Sequence, residues 1–102
     1  MAGGNGAYRD LFSLEGRVVI ITGGAGHLGS AMSKGLASFG ARVIAVGRTE
    51  ANFQGLREFA PEHPAGRIDC VACDVRDADA FAGVADRVWR AHGRIDALIN
   101  NA

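Results

Sequence analysis

Val18, Val19, Ile20 and Ile21 form an unbroken β-branched run, the pattern of a parallel strand covered on both faces rather than one half exposed to water. The run stops at residues 22–26, which are rich in glycine. Beyond them Leu28, Ala31, Met32, Gly35, Leu36 and Phe39 recur at helical spacing, and Gly40 offers a C′ position that tolerates positive φ. The alternation then repeats. Residues 42–46 read as a second buried strand. Thr49 is placed to cap a short helix to about Ala60, carried by Phe53, Leu56 and Phe59, weakened by Gly55 and ended by Pro61 and Pro64. Residues 67–73 read as a third strand. Asp77 then caps a longer helix whose Phe81, Val84, Ala85, Val88 and Trp89 share one face as far as Gly93, which makes Trp89 a core or interface residue. Residues 95–99 supply a fourth strand.

Strand–helix–strand units of this length cross over with a right hand. A βαβαβαβ order therefore predicts an α/β fold, a partial doubly wound parallel sheet of Rossmann type with strand order 3-2-1-4. Its ligand belongs at the switch point beside the first strand. The 102 residues suffice for one domain and not two. Residues 1–16 read as an N-terminal tail and lead-in and residues 17–102 as the Rossmann-type domain. Residues 1–9 hold little that can pack, and Tyr8 has no evident role. Leu11, Phe12 and Leu14 form an apolar lead-in expected to cover one end of the sheet.

Charge narrows the partners. Lys+Arg and Asp+Glu are both 11, so nothing draws the chain to nucleic acid or to an anionic membrane surface. No apolar run is long enough to cross a bilayer and no signal-peptide pattern is present, so a cytoplasmic protein without nucleic-acid or membrane partners is expected. Cys70 and Cys73 are spaced C-x-x-C, but on a strand a separation of three puts them on opposite faces, and no second pair exists. They read as two ordinary core thiols, not a redox pair or half a metal site. No metal site is expected. His63 and His92 read as solvated.

The glycine-rich turn carries the chemistry. The first turn of a helix has unpaired N–H groups and a positive dipole end, and both attract phosphate. Gly23 can make the tight turn, Gly24 and Gly26 keep side chains away from a pyrophosphate, and Gly29 lets the helix pack closely on the strand. His27 either simply begins the helix or donates to a phosphate oxygen. In NAD-binding sheets an acid about 20 residues past the glycines bonds the ribose hydroxyls. Here Gly47 ends the second strand and Arg48 follows, with Thr49 next, so a guanidinium and a hydroxyl are available to a 2′-phosphate. NADP is preferred to NAD on this ground.

The stretch ITGGAGHLG resembles the cofactor loop of the short-chain dehydrogenase/reductase family, T-G-x-x-x-G-x-G. Thr22, Gly23 and Gly29 match, while His27 stands in place of the middle glycine. The same residues also fit T-G-x-x-G-x-x-G, the loop of the family's extended branch, through Gly23, Gly26 and Gly29. Two further stretches are similar to the family: CDVRD at residues 73–77 and GRIDALINNA at residues 93–102. The N-N-A ending favours the single-domain branch.

The resemblance implies that Thr22, Gly23, Gly24, Ala25, Gly26, His27, Leu28 and Gly29 surround the pyrophosphate. It implies that Asp74 accepts from the adenine amino group, that Val75 flanks the ring, that Asn101 contacts the ribose side and that Asn100 braces the fourth strand. It further implies hydride transfer between a carbonyl and an alcohol on a small-molecule substrate, in an enzyme that is a homo-oligomer when complete. The family's serine and Tyr-x-x-x-Lys have no counterpart, because Tyr8 and Lys34 are the only tyrosine and lysine. The chain therefore reads as the adenosine-binding N-terminal half of an NADP(H)-dependent oxidoreductase, with no catalytic residue of its own and inactive alone. A non-catalytic nucleotide-binding module and an extended-branch enzyme acting on nucleotide sugars stand as alternatives.

Overall fold

The computed structural model describes residues 11–101. Residues 1–10 and Ala102, and with them the expected loose tail and Tyr8, lie outside the described residues. The elements are β1 (Val18–Thr22), α1 (His27–Ser38), β2 (Arg42–Gly47), a 3₁₀ turn (Glu50–Phe53) running into α2 (Gln54–Glu58), β3 (Arg67–Ala72), α3 (Ala78–His92) and β4 (Ala97–Asn100). All strand pairs are parallel and the sheet order is β3-β2-β1-β4, as the crossover rule predicts. Ile20 stands between Ile44 of β2 and Leu98 of β4.

Every residue of β1 is buried, and side-chain alternation divides them between two cores. Val18 and Ile20 pack with Ile44 and Val46 under Val84 and Val88 of α3. Val19 and Ile21 pack on the other face with Val43, Ala41 and Ala37 of α1. Each such side chain contributes about 1.5–3 kcal/mol of transfer free energy, and covering both faces of one strand is what makes β1 the axis of the molecule.

Helix α1 departs from the expected face. Its buried residues are Gly29, Ser33 and Ala37, spaced four apart. Leu28 and Phe39 are exposed, and so are Ala31 and Gly35. A stripe of small residues lets the helix axis approach the sheet, and Met32 and Leu36 pack from the flank. The helix ends as the sequence predicts. Gly40 takes φ +104°, its N–H bonds Ala37 O at 2.9 Å and that of Ala41 bonds Leu36 O at 3.2 Å, a Schellman closure.

Other elements also correct their sequence readings. Thr49 occupies the cap position before the 3₁₀ turn, but its side chain makes no cap bond, and the short helix is split in two. Asp77 does cap α3, its Oδ1 accepting from Ala80 N at 3.1 Å. Trp89 is 56% exposed and not core. β3 ends at Ala72, which leaves Cys73 in the following loop. Both cysteines are free and half-buried, not fully enclosed. Of the lead-in, only Leu14 packs on the sheet, while Leu11 and Phe12 are exposed.

β4 starts two residues later than expected. Asp96 is instead tied to the foot of β1: its N–H bonds Val18 O at 2.8 Å and its Oδ2 accepts from Val18 N at 2.8 Å. The carboxylate supplies the acceptor that a ladder carbonyl would otherwise provide.

Candidate functional site

The carboxyl ends of β1, β2 and β3 open onto one side of the sheet, where the chain carries its glycine loop, Arg48 and the segment 73–77. The loop is built by local bonds. Gly23 adopts φ +65°, a left-handed conformation that favours glycine. Its carbonyl accepts from Gly26 N at 3.1 Å, and Gly24 N bonds Val46 O at 3.1 Å, which ties the loop to β2. A Cβ on Gly29 would stand 1.9 Å from Gly23 O, so the first turn of α1 lies directly against the loop. The expected packing of Gly29 is thus on the loop backbone more than on the strand.

Gly24 serves a different purpose from the one expected. A Cβ there would stand 2.8 Å from both Cα and Cβ of Ala45, so the missing side chain makes room for β2, not for a phosphate. Thr22 is likewise turned inward. It is buried, its Oγ1 donates toward Asn100 Oδ1 at 3.1 Å, and it accepts from Asn101 N at 3.0 Å. Thr22 therefore pins β4 to β1. Asn101 closes the same corner, its Nδ2 donating to Gly23 O at 3.3 Å, and Asn100 braces the strand as the motif implies.

Helix α1 opens the way for an anion. Gly26 is its N-cap, no side chain caps the first turn and no acid lies in that turn. In α3, by contrast, Asp77 caps and Asp79 sits in the first turn. The N–H groups and the dipole of α1 therefore face no carboxylate from its own first turn.

Two cavities flank the loop. The larger, about 510 Å³, lies between Gly23, Gly47 and Arg48 on one side and Asp74, Val75 and Arg76 on the other. The smaller, about 200 Å³, is bounded by Ala25, Gly26, Arg48, Thr49 and Asn52. Gly23, Gly47 and Arg48 line both. The fold thus brings together Gly23, Ala25, Gly26, Arg48, Thr49, Asp74 and Val75. His27 and Leu28 are exposed on the first turn of α1 and line neither cavity, and Gly24, Gly29 and Thr22 are buried behind the loop.

Asn52 and Arg76 are polar lining residues that were not singled out from the sequence. Asn52 belongs to the 3₁₀ turn, its N–H bonding Thr49 O at 3.0 Å. Arg76 sits inside the CDVRD stretch but had no assigned role. Its Nη2 and Nε bond Asp74 Oδ2 at 2.9 and 3.3 Å, Nε also bonds Oδ1 at 3.1 Å, and its backbone N–H bonds Oδ1 at 2.9 Å. The Arg76 side chain, then its backbone N–H, hold the Asp74 carboxyl down to about 2, with a smaller contribution from Arg48. Asp74 is ionised at any physiological pH.

Among the described residues no His, Cys, Asp and Glu side chains gather as a metal site would require, and no helix is long and apolar enough to cross a membrane.

Comparison with known proteins agrees with this fold. The family model for short chain dehydrogenase matches residues 17–102. The chain is 39% identical over 89 residues to the 3-oxoacyl-[acyl-carrier-protein] reductase FabG of Thermotoga maritima, covering 87% of this chain and 36% of the relative. Among solved structures, a metagenomic short-chain oxidoreductase in complex with NADP superposes with TM-score 0.77 at 37% identity, over 86% of this chain and 39% of the other. An NAD⁺-bound xylitol dehydrogenase superposes with TM-score 0.76 at 29% identity, over 87% and 34%. The chain spans about a third of the length of the curated relatives it matches, from 27% to 36%.

Proposed function

The chain belongs to the short chain dehydrogenase family, and from that premise we propose that it holds the adenosine and pyrophosphate of a nicotinamide dinucleotide in an oxidoreductase. The reaction is hydride exchange between a carbonyl and an alcohol, with NADP preferred to NAD. The observation that carries this reading is the contrast between the two long helices. α3 is capped by its own Asp77, while α1 begins at Gly26 with its first turn open beside a cavity. A helix start left without cap or acid suits a pyrophosphate.

The residues divide the work by chemistry. Backbone N–H groups of the loop and the start of α1 hold phosphate oxygens. Arg48 pairs with the 2′-phosphate as a charge-assisted donor, and Thr49 adds a hydroxyl. Asp74 accepts from the adenine amino group and Val75 lies against the ring. Gly47 supports the choice of NADP, because it ends β2 without the acid that would repel a 2′-phosphate. The bound cofactor supplies or accepts hydride at its nicotinamide. Tyr8 and Lys34 do not stand in a Tyr-x-x-x-Lys spacing, so binding and turnover should separate.

Calorimetric titration of the purified chain with NADP⁺, NAD⁺ and 2′,5′-ADP tests the reading. NADP⁺ and 2′,5′-ADP should bind, with NAD⁺ weaker. NADPH should remain unoxidised when carbonyl compounds are added. Failure of all three nucleotides to bind would overturn the proposal.

A further inference from the structure

We propose that Arg76 is a positioning residue for purine recognition: by holding both carboxylate oxygens of Asp74 it fixes the acceptor that meets the 6-amino group of adenine. The Asp74–Arg76 pair then sets the preference for a 6-aminopurine over a 6-oxopurine nucleotide. This rests on the reading of the larger cavity as the adenosine site.

Asp74 lies in the loop after β3, where nothing in a regular ladder would orient its side chain. Arg76 supplies that orientation twice over, through the backbone N–H on Oδ1 at 2.9 Å and through the guanidinium fork, with Nη2 on Oδ2 at 2.9 Å. A backbone donor and a planar fork on the same carboxylate leave it little rotational freedom. Both residues line the 510 Å³ cavity together with Arg48.

An ionised carboxylate offers about four lone-pair sites; Arg76 presents three N–H groups to it, the Nε–H shared between Oδ1 at 3.1 Å and Oδ2 at 3.3 Å, so that part of Oδ2 stays available to a further donor. The 6-amino group of adenine is such a donor. The 6-oxo group of hypoxanthine is an acceptor and would meet the same oxygen lone pair to lone pair. The guanidinium weakens Asp74 as an acceptor, since it shares the charge. It also removes the cost of ordering a carboxylate that is otherwise solvated and free to turn, and at a half-exposed site this second effect prevails.

Base preference separates this role from a structural one, because adenine and hypoxanthine dinucleotides share every contact except the purine edge. Affinities for NADP⁺ and its hypoxanthine analogue would be measured by calorimetry for the native protein, R76A, R76K and D74N. The native protein should prefer adenine by about tenfold or more, the range expected for a hydrogen bond to a charged group. R76A should narrow that preference about fivefold, through lost adenine affinity, with the hypoxanthine form changed less than about twofold. R76K should restore it only in part, because an ammonium cannot span both oxygens, and D74N should abolish it. An unchanged preference in R76A or in D74N, or equal loss of both dinucleotides in R76A, would overturn the role of Arg76. If the native protein bound neither dinucleotide, the nucleotide reading itself would fall and this inference with it.

Discussion

Gly29 and Gly23 are in such close approach that a Cβ on Gly29 would stand 1.9 Å from the Gly23 carbonyl oxygen. That oxygen also accepts from Gly26 N and Asn101 Nδ2, so neither helix nor loop can yield without breaking the turn. Gly29→Ala should therefore cost about 1–3 kcal/mol, the usual penalty of overpacking. Gly35→Ala is the matched control: it lies mid-helix with nothing within 4 Å of its Cβ site and should stabilise by about 0.5–1 kcal/mol. Urea unfolding of both variants checks the pair, and equal effects would refute the close approach.

Arg48 stands where the two cavities meet. Arg48→Ala should weaken NADP⁺ by about 1.5–3 kcal/mol, the worth of a charge-assisted contact, and leave NAD⁺ nearly unchanged. An acid is better introduced at position 48 than at 47, because a Cβ on Gly47 would already stand 3.3 Å from the ring of buried Phe53. Arg48→Glu should move the cofactor ratio by about 2–4 kcal/mol in total. Unaltered relative affinities would remove Arg48 from the site.

Asp96 gives the fold an acid limb. The Arg94 side chain, then the Val18 N–H, lower its carboxyl from 3.8 to about 2. A pKa that is lower in the folded state stabilises above the unfolded value, and the benefit is lost as pH falls through the folded one. Melting temperature should thus fall between about pH 4 and pH 2. Asp74, lowered to about 2 by Arg76, adds to the same window. In Asp96→Asn the fall should be shallower and the neutral-pH melting temperature lower. Parallel curves for the two proteins would show that Asp96 does not carry the limb.

β4 is hydrogen-bonded to β1, and among the described residues no strand pairs with its other edge. Leu98 on this strand is 54% exposed, and Trp89, Leu28 and Phe39 are exposed elsewhere. Open edges and bare apolar faces associate. Sedimentation should show mass rising with protein concentration, less so for Leu98→Lys. A monomer at all concentrations with a cooperative melt would contradict this.

Much of the architecture was legible in the sequence because its causes are local. A β-branched run that needs cover on both faces, a glycine turn and a small set of cap residues fix β1, the loop and the helix ends within a few positions of one another. Asp77 and Gly40 each bond an atom three residues away, and handed crossovers then leave little choice of strand order. Arg48 was legible for the same reason, as the residue just past the end of β2.

Tertiary structure alone decided what lies across from each side chain. Periodicity gave α1 an apolar stripe through Leu28 and Phe39, yet the loop and the sheet took the face of Gly29, Ser33 and Ala37, because close approach of the helix favours small side chains over large ones. It turned Gly24 toward Ala45 and Thr22 toward Asn100, contacts between residues 21 and 78 positions apart. It also left Thr49 without a cap bond and closed Arg76 onto Asp74 at the cavity. Spacing along a chain specifies which atoms are near in sequence, whereas burial and pairing depend on what the rest of the fold brings opposite them.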